Sequence, residues 1–94
     1  MKTEEKHILT LYIAGKTQKA IRAIENINNY CEEHLQSSYV LEVVDLKEHP
    51  EIAASEQIIA IPTLIKKLPA PIRTLVGDLS DKEKVLIGLN IKPA

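Results

Sequence analysis

The sequence contains no phenylalanine and no tryptophan, only three tyrosines, and a single cysteine. Each scarcity excludes something. With so few aromatic rings the core must be aliphatic, and little surface is left on which nucleic-acid bases could stack, as single-strand binders require. One cysteine excludes an internal disulfide framework and any two-cysteine redox reaction within the chain. An excess of one charge is missing too: 12 Lys and Arg stand against 13 Asp and Glu, a formal net charge of -1. A phosphate-tracking protein carries a basic excess or a basic face. No stretch approaches the roughly 20 apolar residues of a membrane span, and the polar start from Met1 to Lys6 has no apolar signal segment behind it. A cytoplasmic setting is the expectation. The 94 residues suit one domain, 1–94, with a modest core.

What is present reads as alternating strands and helices. Ile8 to Ala14 is a nearly continuous apolar run ended by Gly15, the pattern of a strand covered on both faces. Thr17 is placed to cap a helix. Ile21, Ile24, Ile27, Cys31 and Leu35 then recur at steps of three or four, which predicts one apolar stripe. Gln36-Ser37-Ser38 breaks that pattern, and Tyr39 to Asp45 reads as a second strand. Strand, helix, strand is a βαβ unit with parallel pairing and a right-handed crossover.

The second half follows different signals. Pro50 suits the first turn of a short helix over Glu51 to Gln57. Pro62 interrupts the apolar run Ile58 to Ile65 and belongs at a strand start or edge, because it lacks a ladder amide. Pro69-Ala70-Pro71 predicts a turn into a short strand ending near Val76, and Gly77-Asp78 another turn. Ser80-Asp81-Lys82-Glu83 matches a capping box, with Val85, Leu86 and Leu89 facing the core. The apolar segment Ile87 to Ile91 also alternates like a strand, so its local signals conflict. The order expected is βαβαββα.

That order, with Ile61-Pro62-Thr63-Leu64 opening a hydrophobic strand, resembles the thioredoxin fold, in which such a proline is commonly cis and faces the active-site loop. The corresponding loop here, Gly15-Lys16-Thr17-Gln18-Lys19, has no cysteine. A closer resemblance covers nearly the whole chain. Leu11-Tyr12-Ile13-Ala14-Gly15, Ile61-Pro62-Thr63-Leu64, Leu68-Pro69-Ala70-Pro71-Ile72-Arg73 and the contiguous block from Gly77 to Leu89 resemble the circadian clock protein KaiB family.

The resemblance implies a non-enzymatic regulator without a cofactor or metal that binds a KaiC-like hexameric ATPase. A KaiA-like protein or a histidine kinase would be further partners. It also implies switching between two folds: a monomeric thioredoxin-like form, βαβαββα, and an oligomeric ground-state form, βαββααβ, dimeric or tetrameric, with a rearranged C-terminal half. The capping box and Pro62 favour the thioredoxin-like form. By the same likeness, Pro62, Pro69, Pro71, Gly88 and Asn90 bear on the choice of fold, and Arg22, Lys66 and Arg73 match basic positions at partner-binding surfaces. His7 and Asn90 depart from the common family residues, and the chain stops at Lys92-Pro93-Ala94 without an acidic tail. The competing expectation is a thioredoxin-fold stress or redox protein that lacks a two-cysteine site and does not engage KaiC.

Individual residues read blandly beside these. Cys31 lies on the apolar stripe, roughly 20 Å along the helix from the redox-loop position at 1.5 Å per residue, and reads as core. His7, His34 and His49 have no zinc-ligand spacing. Asp78 and Asp81 complement a helix start. Lys16, Lys66, Lys67 and Arg73 read as a solvated basic face, which the resemblance offers as a docking patch where charge would steer encounter more than affinity. The Pro62 region is a candidate vestigial peptide- or thiol-binding groove.

Overall fold

A computed structural model describes residues 6–35 and 38–91. The Gln36-Ser37 break, the first five residues and the Lys92-Pro93-Ala94 end lie outside the described residues. The elements are β1 (His7–Ile13), α1 (Gln18–His34), β2 (Tyr39–Asp45), α2 (Pro50–Ser55), β3 (Thr63–Leu68), β4 (Arg73–Val76) and α3 (Lys82–Gly88). They form a four-stranded sheet in the order β2-β1-β3-β4. β1 runs parallel to β2, while β3 is antiparallel to both β1 and β4. The expected βαβαββα order is the observed one.

Strand alternation sorts the sheet into two faces. Leu9, Leu11 and Ile13 of β1 and Leu64 of β3 point to the face where Ala20, Ala23, Ile27 and Cys31 of α1 and Val85, Leu86 and Leu89 of the α3 region complete an aliphatic core. The helix stripe departs from its sequence-based reading at its start. Ala20 and Ala23 are buried, whereas Ile21 is 43% exposed. The small alanines take the buried positions against the sheet, and the bulkier Ile21 is left on the outer side. The cap is as expected, with Thr17 accepting the Ala20 N–H at 3.0 Å.

Pro62 stands just before β3, across a cis peptide bond. Its carbonyl accepts the Gly77 N–H at 2.9 Å, so it joins the sheet through the group that proline retains. Pro69 and Pro71 shape the β3–β4 turn, also with cis bonds.

The start of α3 lies one residue later than the capping-box reading placed it. Asp81, not Ser80, is the N-cap and accepts the Lys84 N–H at 3.2 Å. The Ser80 N–H is held instead by Asp78 Oδ1 at 3.1 Å, a turn that uses up Ser80 before the helix begins.

The end of α3 resolves the conflict over Ile87 to Ile91. The Ile91 N–H bonds the Leu86 carbonyl at 2.9 Å and the Asn90 N–H bonds the Ile87 carbonyl at 3.0 Å, the paired bonds of a Schellman motif. Asn90 takes the left-handed position with φ of 60°, and Ile91 folds back buried beside Leu86. The strand-like spacing of Ile87, Leu89 and Ile91 therefore belongs to a helix end and its hydrophobic clasp. Asparagine and glycine tolerate this backbone, while alanine does not. Asn90→Ala is expected to lower stability by about 1 kcal/mol and Asn90→Gly to leave it equal or higher. Urea midpoints of the two variants compare them, and equal midpoints would contradict the assignment.

Candidate functional site

The loop after β1 and the residue before β3 meet at one end of the sheet. Gly15 has a positive φ of 77°, and its N–H bonds Asp45 Oδ1 at 2.9 Å, the same oxygen that accepts the Lys47 N–H at 2.9 Å. These bonds, the Gly15 amide first and the Lys47 amide second, hold the Asp45 carboxyl below its usual range. Asp45 thus ties the loop to the end of β2. Ile13, Ala14, Thr17, Lys19, Ala20, Ile61 and Pro62 line a shallow cavity of about 150 Å³.

This cavity occupies the place where a thioredoxin-like scaffold carries its reacting sulfurs. The loop offers no sulfur, and the Thr17 hydroxyl is engaged as a helix cap. The sole thiol, Cys31, is 1% exposed, and burial first and Glu32 second push it up to about 12. What the end of the sheet does offer is apolar surface. Ile59 is 96% exposed, and Ile61 and Val76 beside Pro62 and Gly77 are exposed as well. Sequence reasoning missed Ile59 and Ile61, although the run from Ile58 to Ile61 was too long to belong wholly to a strand starting at Pro62.

The basic residues do not form one patch, and only Lys66 and Arg73 are neighbours across the sheet. Arg22 is exposed on α1, with Nε 3.7 Å from Asp78 Oδ2. Arg73 is exposed on the sheet's edge strand, where it pairs with Lys66, which in turn lies opposite Leu9. That is the end of the sheet remote from Lys16, which follows β1. Lys66 requires a correction: it is 1% exposed, so it is not part of a basic surface. Its register with Leu9 points its side chain to the helix-covered face, where a lysine stem packs as apolar matter. Lys67, one residue on, points to the other face and reaches the Tyr12 hydroxyl and, at 3.8 Å, Glu56.

Gly88 lies against the sheet. A Cβ there would stand 2.6 Å from Leu75 Cδ2, so α3 meets β4 at a distance only a hydrogen allows unless Leu75 moves. Pro62, at the loop end, is separated by the length of β3 from Pro69 and Pro71. Pro62, Pro69 with Pro71, and Gly88 with Asn90 therefore lie at three separate places: the start of β3, the β3–β4 turn and the end of α3.

A model of the KaiB domain family matches residues 10–91. The chain belongs to the KaiB family. The circadian clock oscillator protein KaiB of Cyanothece is 47% identical over 90% of this chain and 81% of its own length. That of Synechococcus elongatus is 45% identical over 97% of this chain and 89% of its own, and KaiB1 of Synechocystis is 46% identical over 90% and 81%. Among solved structures, the N-terminal domain of Synechococcus elongatus SasA superposes with a TM-score of 0.74 at 17% identity, covering 93% of this chain and 84% of that one. Mitochondrial thioredoxin 3 of Saccharomyces cerevisiae gives 0.71 at 12% identity, covering 93% and 79%. These two likenesses carry the fold: this KaiB-family chain has a thioredoxin-like architecture. Its KaiB relatives are named as oscillator proteins, not as enzymes. Among the described residues no helix is long and apolar enough to cross a membrane.

Proposed function

We propose that the chain is a non-enzymatic clock-type regulator whose thioredoxin-like form docks on a KaiC-like hexameric ATPase and modulates its phosphorylation and output. The observation that carries this reading is the KaiB match over residues 10–91, joined to a redox-type loop without a cysteine. A scaffold that keeps the fold and lacks the reacting groups has surface left to act with. Residues 1–94 act as one KaiB-like unit in this reading, and Arg22 and Arg73 contribute exposed charge to docking. A KaiA-like protein or a histidine kinase would be further partners in the same system. Pro62, Pro69, Pro71, Gly88 and Asn90 set the balance with a second, rearranged fold. The close fit of Gly88 under Leu75 and the left-handed Asn90 support placing that balance at α3.

The test is co-elution of the purified chain with the KaiC-like hexamer encoded in the same genome, with ATP present and incubation extended to a day. A complex is expected, and Arg22→Ala with Arg73→Ala is expected to slow its formation severalfold, since rim charges act mainly on the on-rate. Absence of any complex after that time removes the KaiC reading for this chain.

A further inference from the structure

One polar stripe of α1 bonds the loop that launches α3. Arg22, Asn26, Tyr30 and Glu33 follow one another at steps of four, four and three, which aligns them on a single helix face. Asn26 Nδ2 donates to the Asp78 carbonyl at 2.9 Å, and Tyr30 Oη donates to the Leu79 carbonyl at 2.8 Å. Arg22 lies 3.7 Å from the Asp78 carboxylate, and Lys82 Nζ reaches Glu33 Oε1 at 2.7 Å. The first two residues of the stripe thus hold Asp78, the third holds Leu79, and the last holds Lys82 at the start of α3. The loop is unusual in its backbone: Gly77 has φ of 115° and the buried Leu79 has φ of 62°, a region that side-chain-bearing residues rarely adopt.

α3 has seven residues, too few for an isolated helix to persist in water. It stays formed because Val85, Leu86 and Leu89 enter the core, and their entry depends on where the loop delivers the chain. We propose that the Arg22–Asn26–Tyr30–Glu33 stripe is a latch. It holds the Gly77–Asp81 loop against α1 and so controls how often the loop and α3 detach together while the βαβ half stays folded. Asn26 and Tyr30, whose bonds are part-buried, are its inner members, and the two exposed ion pairs are its weak outer ones. The latch needs no partner, so it stands or falls separately from KaiC docking.

Residue-resolved amide exchange on the free, full chain tests it, because detachment of one segment exposes only that segment's amides. The reporters are the N–H groups of Leu89, Asn90 and Ile91, all bonded within α3 and its cap. Tyr30→Phe keeps the ring and removes the hydroxyl. It is expected to speed reporter exchange about fivefold, and Asn26→Ala with Tyr30→Phe about 25-fold, at the usual worth of one hydrogen bond per group. The amides of β1, α1 and β2 should change less than about twofold. Tyr39→Phe is the matched control, since it removes a hydroxyl bonded to Glu32 at 2.6 Å, away from the loop. The latch is overturned if the double variant leaves the reporters unchanged, if it accelerates all amides equally, or if Tyr39→Phe has the same effect on α3.

Discussion

Leu89→Ala is expected to lower stability by about 3 kcal/mol, within the range for truncating a fully buried leucine. Leu89 is 0% exposed in the cluster that joins α1, α3 and the sheet. For a chain this size, that is a large part of a total of roughly 5–14 kcal/mol, and the melting temperature should fall by about 15 °C. Ile87→Ala, two residues earlier, should cost less than about 0.5 kcal/mol, because Ile87 is 77% exposed. The contrast distinguishes the two conformations this segment suggests. In a strand, residues two apart share a face, and both truncations would be felt alike. In the helix, they lie on different sides. Thermal unfolding of both variants decides it: similar losses would mean that Ile87 and Leu89 are buried together, as a strand would place them.

The same segment marks where the sequence stopped being legible. The βαβ half was readable because its patterns are long and consistent: an apolar run closed by Gly15, a capping threonine and a stripe of four turns. Even there the stripe holds only in part: Ile27 and Cys31 are buried as the spacing predicts, but at the start of the helix Ala20 and Ala23 are buried while the more hydrophobic Ile21 is exposed. α3 was ambiguous for a physical reason. Its last apolar residue is buried by a cap that reverses the chain, so a spacing of two arises without a strand. The Ser80 box failed by one residue because Asp78 competes for the Ser80 amide.

Lys66 was misplaced for want of a rule that the sequence did offer. Ile65-Lys66-Lys67 lies in a strand, and adjacent side chains there point to opposite faces, so the two lysines could not share one surface. The tie from Asp45 to Gly15 and the stripe of α1 had weaker signals. Both join residues far apart in sequence, and only the fold brings them together.

The buried thiol gives the other large expected effect. At pH 8, Ellman's reagent should label Cys31 in the folded chain at least about 10³-fold more slowly than in urea. Raising a thiol from its ordinary value near 9 to about 12 cuts the reactive thiolate by that factor, and 1% exposure slows access further. The pH dependence follows in sign. Between about 9 and 12 the folded chain keeps a proton that the unfolded chain has released, so stability is fully present below 9 and declines as pH rises towards 12. The slope from this group approaches roughly 1.4 kcal/mol per pH unit. Tyr39, raised to about 12 chiefly by its bond to Glu32, acts in the same direction above 10. Cys31→Ala removes only the thiol contribution. It should therefore be less stable than the parent at pH 7, through lost packing, and lose less stability than the parent between pH 9 and 11. Denaturant titrations at those pH values compare the two. Rapid labelling of the native thiol at pH 8, with parallel alkaline losses in both proteins, would show an accessible thiolate and reopen thiol chemistry for this scaffold. Slow labelling with diverging losses leaves Cys31 as core.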